Sequence, residues 1–513
     1  MTSERAENEI DARIDPKRNP QRLARAVSTA AATEGWRSAA ALIEKNWDAF
    51  ANEAPQHLLA ALKALPGEAF VETPGLLVAA NYLQQTTLTG EPSRFFHDGR
   101  LAAQLRDDDS ADLNTLILLT GQAASARTSG RLDEARAAAE QARDILTAMP
   151  SAQRAPMAGS LPHLRFQWGR TLDAADAPGA LAEYEASHEL ALLTGQPVIA
   201  RRAAGHIAWH HAERGRLQRA ELWLARAYGE PATNSRYDVI VFLTSALLRY
   251  DRGERDAKQH LARALGLPIG EHWAAALWLA AMLAHTQPAA SSVQAELEAE
   301  LERHPEVHDL RGANGRYIKA ARSRLARLRP RLRVEQPLPE APSALDHLLA
   351  GLHAYRTGRP TEAIAHSDAA TALTAAPRVE APALLIAAAS HLSLGHHGLA
   401  VDAFRLGNTI IGRERLFSAY GFIPPETATA LAELAGEPLH GTDHAPTDPA
   451  LPKLTKRERE VLELLSTGMP MGRLAAQLYI SPNTLKATVR TLYRKLGVTS
   501  RQQAVDVARR GSR

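Results

Sequence analysis

The chain has 513 residues, 45% apolar and 23% charged, with 5% aromatic residues and a net charge of +3. That composition describes globular protein of about three domains and excludes a disordered tail. The absence of cysteine excludes a disulfide scaffold, a thiolate zinc site and a cysteine nucleophile. Alanine and leucine carry the apolar fraction, and both favour helix, so the expected fold is all-α.

Residues 1–20 are polar and charged and read as a flexible arm without a signal core. From 21 to 329 helix follows helix. One unit recurs in which a Gly ends a first helix and an Ala follows five residues later in a second. The instances are Gly130 with Ala135, Gly215 with Ala220, Gly358 with Ala363 and Gly395 with Ala400. The Gly caps the first helix in a left-handed conformation, and the small residue allows two helices to cross closely. The pattern resembles tetratricopeptide repeats in degenerate form, and 266–330 carries no signature. Stacked pairs of this kind build a superhelix with a concave binding face. Arg127, Trp209, Glu213, Tyr355 and Arg356 are the residues expected there, against an unknown ligand or partner protein. The longest uncharged apolar run, Trp273–Ala284, has twelve residues, too few to span a bilayer.

A Pro- and Arg-rich linker is expected at 330–343, a second repeat block at 344–436 and a Pro-rich linker at 437–451. The charge is uneven. Residues 451–513 hold 13 Lys and Arg against 4 Asp and Glu, a net +9, which leaves −6 on the other 450 residues. Such a basic end points to a polyanion partner.

That end reads as a small helical domain, 452–513. Thr455 to Glu458 forms a capping box, and Val461, Leu462, Leu464 and Leu465 make one apolar stripe. Leu474, Ala475 and Leu478 face inward on a short second helix. Ser481 caps a third helix with Pro482 in its first turn. Leu485, Val489, Leu492 and Leu496 form its core face, and Lys486 and Arg490 lie on another. A fourth helix is expected at about Arg501–Arg510. In a helix–turn–helix the later helix enters the major groove. Lys486 and Arg490 suit guanine edges, and Ala487 leaves room for a thymine methyl. Thr455, Ser481, Thr484, Arg494 and Lys495 suit phosphates.

The segment resembles the LuxR-type, or FixJ-type, DNA-binding domain. The resemblance is carried by Leu454-Thr455, Arg457-Glu458, Glu460-Val461-Leu462, Leu464-Leu465, Gly468, Ala475, Leu478, Ile480-Ser481, Thr484, Lys486, Lys495-Leu496-Gly497-Val498 and Arg501. It implies that Lys486, Ala487 and Arg490 face bases and that the fourth helix serves dimerisation on DNA. Two places depart from the family. Pro470-Met471-Gly472-Arg473 replaces the usual start of the second helix, and Thr488 stands where a His is usual. More weakly, Trp36–Leu83 is similar to the helical-repeat region of large MalT-type regulators, whose ATPase module is missing here.

His206 and His210 are four apart on a helix, as metal ligands can be, with Glu213 three further on. A zinc site needs a third ligand and a closed shell, and the pair sits inside a repeat helix. His210-His211 and His396-His397 read as solvated helix ends. No Gly-Lys pair marks a phosphate loop and no Gly-x-Ser-x-Gly marks a hydrolase. No metal, cofactor or enzymatic activity is therefore expected. The expected protein is a transcription regulator of the cytoplasm and nucleoid. It binds double-stranded DNA as a homodimer, without a membrane. The alternative is a repeat scaffold for protein partners with only non-specific DNA anchorage.

Overall fold

The computed structural model describes residues 20–45, 55–66, 68–69, 76, 113–228, 239–328, 338–441, 456–466, 469, 471–478 and 481–496. Helices account for most of them, joined by turns and short irregular segments, and no strand occurs among the described residues. Two compact units emerge: 1–248 with 259–279 and 299–320, and 249–258 with 280–298 and 321–513. No helix of the described residues is long and apolar enough to cross a membrane.

The first unit opens with α1 (Pro20–Thr33), α2 (Trp36–Lys45) and α3 (Pro55–Lys63). Val27, Ala30, Ile43, Leu59 and Leu62 close a core of their own. Then come α4 (Leu113–Thr128), α5 (Leu132–Ala148), α6 (Leu161–Ala174), α7 (Ala180–Leu193), α8 (Pro197–Glu213) and α9 (Leu217–Tyr228). These pack as successive hairpins, α4 on α5, α6 on α7 and α8 on α9, and the first helix of each pair touches the first helix of the next. Small residues permit the close crossings. Ala135, Ala220, Ala363 and Ala400 are fully buried. The paired glycines 130, 215, 358 and 395 have φ of 72°, 80°, 75° and 77°, a region that favours glycine. Gly195 with Ala200 adds a pair that the sequence pattern missed.

Large side chains fill the gaps between pairs. Trp168 is fully buried and its Nε1 donates to Thr120 Oγ1 at 2.7 Å. Trp209, Trp273 and Trp278 are at most 5% exposed. The Tyr184 ring lies over Gly169, where a Cβ would come within 2.7 Å of it.

The chain continues through α10 (Val239–Asp251), α11 (Ala257–Leu265), α12 (Trp273–Leu283), α13 (Gln287–Arg303) and α14 (Gly312–Leu328). In the second unit α15 (Ala344–Arg356) pairs with α16 (Pro360–Leu373), and α17 (Pro377–Ser393) with α18 (His397–Glu414). Ser343 caps α15 through a capping box with Asp346. α19 (Pro425–Ala435) closes the block, with Gly436 in the left-handed region at its end. The residues just after it remain folded onto the block. Asn408 Nδ2 donates to Pro438 O at 3.2 Å, and the His440 amide donates to the Tyr420 hydroxyl at 3.1 Å. The expected linker is therefore packed at its start. Positions 442–450 lie outside the described residues, as do 329–337 of the expected Pro/Arg linker and 1–19 of the expected arm.

Arg324 and Arg327 of α14 have partners within the protein. Arg324 Nη2 donates to Ala284 O at 3.3 Å. Arg327 stacks on Phe422, and burial pushes its pKa down to about 10. These contacts join parts of the second unit.

Candidate nucleic-acid interface

The basic end contains α20 (Lys456–Ser466), α21 (Met471–Gln477) and α22 (Pro482–Leu496), which pack on one another. Their spacing of apolar residues explains why. Val461, Leu462 and Leu465 meet Leu474, Ala475, Leu478, Leu485, Val489 and Leu492 in one core, with Leu464 at its margin. Nine such side chains are enough to fix three short helices when the third is capped firmly. Ser481 Oγ accepts the Thr484 amide at 3.1 Å, and the two hydroxyls lie 2.8 Å apart.

With Leu485, Val489 and Leu492 inward, helical geometry turns the other side of α22 outward. Lys486, Ala487 and Arg490 are exposed there. Neither Lys486 nor Arg490 pairs with a carboxylate among the described residues. Ser481 and Thr484 are exposed at the helix N-terminus, where amide groups and hydroxyls favour an anion. Thr488 turns its hydroxyl back to Thr484 O at 2.9 Å, so this departure from the family pattern is satisfied within the helix. One exposed residue escaped the sequence reading: Asn483. It precedes Ala487 by four and Arg490 by seven, the spacing of a single helical stripe. Thr455 and the fourth helix lie outside the described residues, as do the side chains of Arg494, Lys495 and Leu496.

Residues 452–508 match the family described as bacterial regulatory proteins, luxR family. This segment is a LuxR-family helix–turn–helix domain. Over 62 residues the chain is 47% identical to a probable transcriptional regulatory protein NarL of Mycobacterium tuberculosis, a match covering 12% of this chain and 29% of that protein. It is 40% identical over 70 residues to the HTH-type transcriptional regulator MalT of Yersinia enterocolitica, covering 12% of this chain and 8% of that protein. A putative HTH-type transcriptional regulator of Mycobacterium bovis is 45% identical over 60 residues, 7% of its length. The chain thus spans less than a third of each of these relatives. No solved structure matches it.

Outside the LuxR-family domain, the residues expected on a concave face separate into two groups. In the second unit Arg356 is exposed and Tyr355 half-buried. In the first unit Arg127, Trp209 and Glu213 are buried, at 6%, 3% and 7% exposure. They meet residues far along the chain, from 271 to 317. Trp209 Nε1 donates to the Tyr317 hydroxyl at 2.9 Å, and Tyr317 in turn donates to Glu213. Arg316 reaches Glu213 at 3.3 Å and Asp176 at 3.1 Å, while Arg214 also pairs with Glu213. Burial works against the Arg316 charge, but Glu213 and Asp176 outweigh it and raise its pKa.

The histidines of α8 correct the sequence reading. His210 and His211 are buried rather than solvated. His206, grouped with them by spacing, instead lies among the rings of Phe166, Tyr184 and His272, edge-on to the first and tilted to the others. A different trio meets: Asp173, His210 and Glu213 have ligand atoms within 4.8 Å of one another. Arg214 and Arg316 already neutralise that trio, and their positive charges oppose a metal ion at the same place.

Burial, reinforced by neighbouring cations, pushes the His206 pKa well down and that of His272 down to about 4. Both stay neutral in the folded protein while the unfolded chain takes up protons near pH 6.5. The stability they contribute is complete above that pH and is lost as pH falls toward 4. The expected slope is about 1.4 kcal/mol per pH unit for each such group. Urea midpoints of the first unit should therefore drop between pH 7 and pH 5; equal midpoints would show that these imidazoles titrate normally.

Proposed function

We propose that this protein is a DNA-binding transcription regulator whose LuxR-family domain reads the major groove and whose helical body senses a ligand or a partner protein. The observation that carries the reading is the exposed Lys486, Ala487 and Arg490 stripe on a capped helix, within a domain matching that family. Lys486 and Arg490 would take guanine O6 and N7, Ala487 a thymine methyl, and Asn483 an adenine edge. Ser481, Thr484, Thr455, Arg494 and Lys495 would hold phosphates and set the register. Two copies on half-sites one helical turn apart suit a domain of this kind. The names of the relatives, all transcription regulators, support regulation and not catalysis.

Selection of genomic fragments by the full-length protein, followed by binding titrations, tests this. Lys486→Ala and Arg490→Ala are each expected to cost roughly 1–3 kcal/mol on the selected operator and to loosen specificity. Thr484→Ala should weaken binding evenly across sequences. Unchanged affinity in both basic variants would remove α22 as the reading helix. Binding without sequence preference that vanishes with salt would instead favour the scaffold reading.

A further inference from the structure

We propose that Arg127 and Arg170 form a carboxylate-binding site on the first unit, filled here by the chain's own Glu271 and open to a carboxylate-bearing effector that displaces it. The inference deepens the reading of the body as a sensor and rests on it. Two guanidinium groups hold the two oxygens of Glu271, with Arg127 Nη2 also reaching Oε1 at 3.5 Å. Arg127 Nε lies 2.9 Å from Oε2 and Arg170 Nη2 lies 2.8 Å from Oε1. That is two-point recognition of a planar carboxylate, the kind for which arginine is suited.

The receiving side is built and rigid. Arg127 projects from α4 and Arg170 from α6, the first helices of adjacent pairs. Arg127 also donates to Thr171 Oγ1 at 2.8 Å and to Gln167 Oε1 at 3.3 Å, which fixes its fork before any acid arrives. Its side chain is 2% exposed.

The donated side is different. Glu271 sits on the three-residue turn Gly270–His272, and its side chain is 29% exposed, against 2% for Arg127. Gly270 has φ of 52° with open space at its Cβ position. The turn's backbone bonds are local, from His272 N to Ile269 O and from Leu267 N to Ala264 O. Withdrawing Glu271 therefore need not break a backbone bond to another helix. Burial alone would raise the Glu271 pKa, yet Arg127 and Arg170 hold it at about 2, so the clamp takes the ionised form of an acid. A tethered carboxylate competes at an effective concentration on the order of millimolar. Removing its charge should expose the site to free acids.

The test uses full-length protein without DNA, so failure of operator recognition and failure of this proposal are told apart. Citrate represents a small organic acid, and a hexapeptide of glutamates represents an acidic partner segment. By calorimetry, Glu271→Gln is expected to bind one of them at least about tenfold more tightly than wild type. Adding Arg170→Gln should abolish the gain. Citrate alone would identify a metabolite-like ligand; the peptide alone would identify a protein partner. A folded Glu271→Gln protein that binds neither probe better than wild type would overturn the proposal. If that variant does not fold, hydrogen exchange of amides 266–272 in wild type decides. Faster exchange with millimolar probe supports displacement, and unchanged exchange with both probes overturns it.

Discussion

Arg378→Ala is expected to destabilise the second unit by about 3–5 kcal/mol, the cost of stranding a buried carboxylate. Asp251 is fully buried. Its two oxygens take Arg378 Nη2 at 2.5 Å and Nη1 at 3.1 Å, and Ser418 Oγ donates to one of them at 2.6 Å. The pair joins residues 127 positions apart, so its loss removes a long-range tie as well as a charge. Arg378→Lys keeps the charge but not the fork, and should fall between the two. The exposed pair of Arg131 and Glu134 is the control, since Arg131→Ala should change stability by less than about 1 kcal/mol. Urea unfolding followed by circular dichroism reads all three. A loss below about 1 kcal/mol in Arg378→Ala would mean that Asp251 does not depend on its guanidinium partner.

The second large effect is expected at Glu213. Its side chain is 1% exposed and receives Arg214, Arg316 and the Tyr317 hydroxyl. Glu213→Ala leaves those donors facing a void and should cost the first unit about 3–5 kcal/mol. Asp176 still holds Arg316 in that variant, so the loss should sit toward the lower end. Glu213→Gln keeps an acceptor for Tyr317 and should cost less. Equal stability of the Ala and Gln variants would show that the hydroxyl bond contributes nothing.

The LuxR-family domain was legible because its determinants are local. Apolar residues at helical spacing, a Ser cap and a proline at the first turn specify α22, and the same spacing forces Lys486 and Arg490 outward. The helix hairpins of the body were legible for a similar reason: a glycine that needs positive φ and a buried alanine five residues later are both short-range marks. The surroundings of Arg127, Trp209 and Glu213 were not. Their covering residues lie 144, 108 and 104 positions away, in a stretch without repeat signature. A polar stripe on a helix looks the same in sequence whether water or an opposite charge faces it. Asp251 and His206 escaped on the same ground, because burial of a polar side chain is decided by partners that only the tertiary fold supplies. The packed residues 438–440 escaped because proline and histidine near a helix end also describe an open linker.

The placement of the tryptophans has an optical consequence. All seven lie between positions 36 and 278, and residues 452–513 contain none. Trp168, Trp209, Trp273 and Trp278 are sealed in the first unit. Intrinsic fluorescence excited at the indole band therefore watches the body and is blind to α22. With α22 as the proposed point of contact, a change in emission when an operator is added would not arise from quenching there. It would be a direct sign that occupancy at one end of the chain is felt at the other, obtained with no label attached.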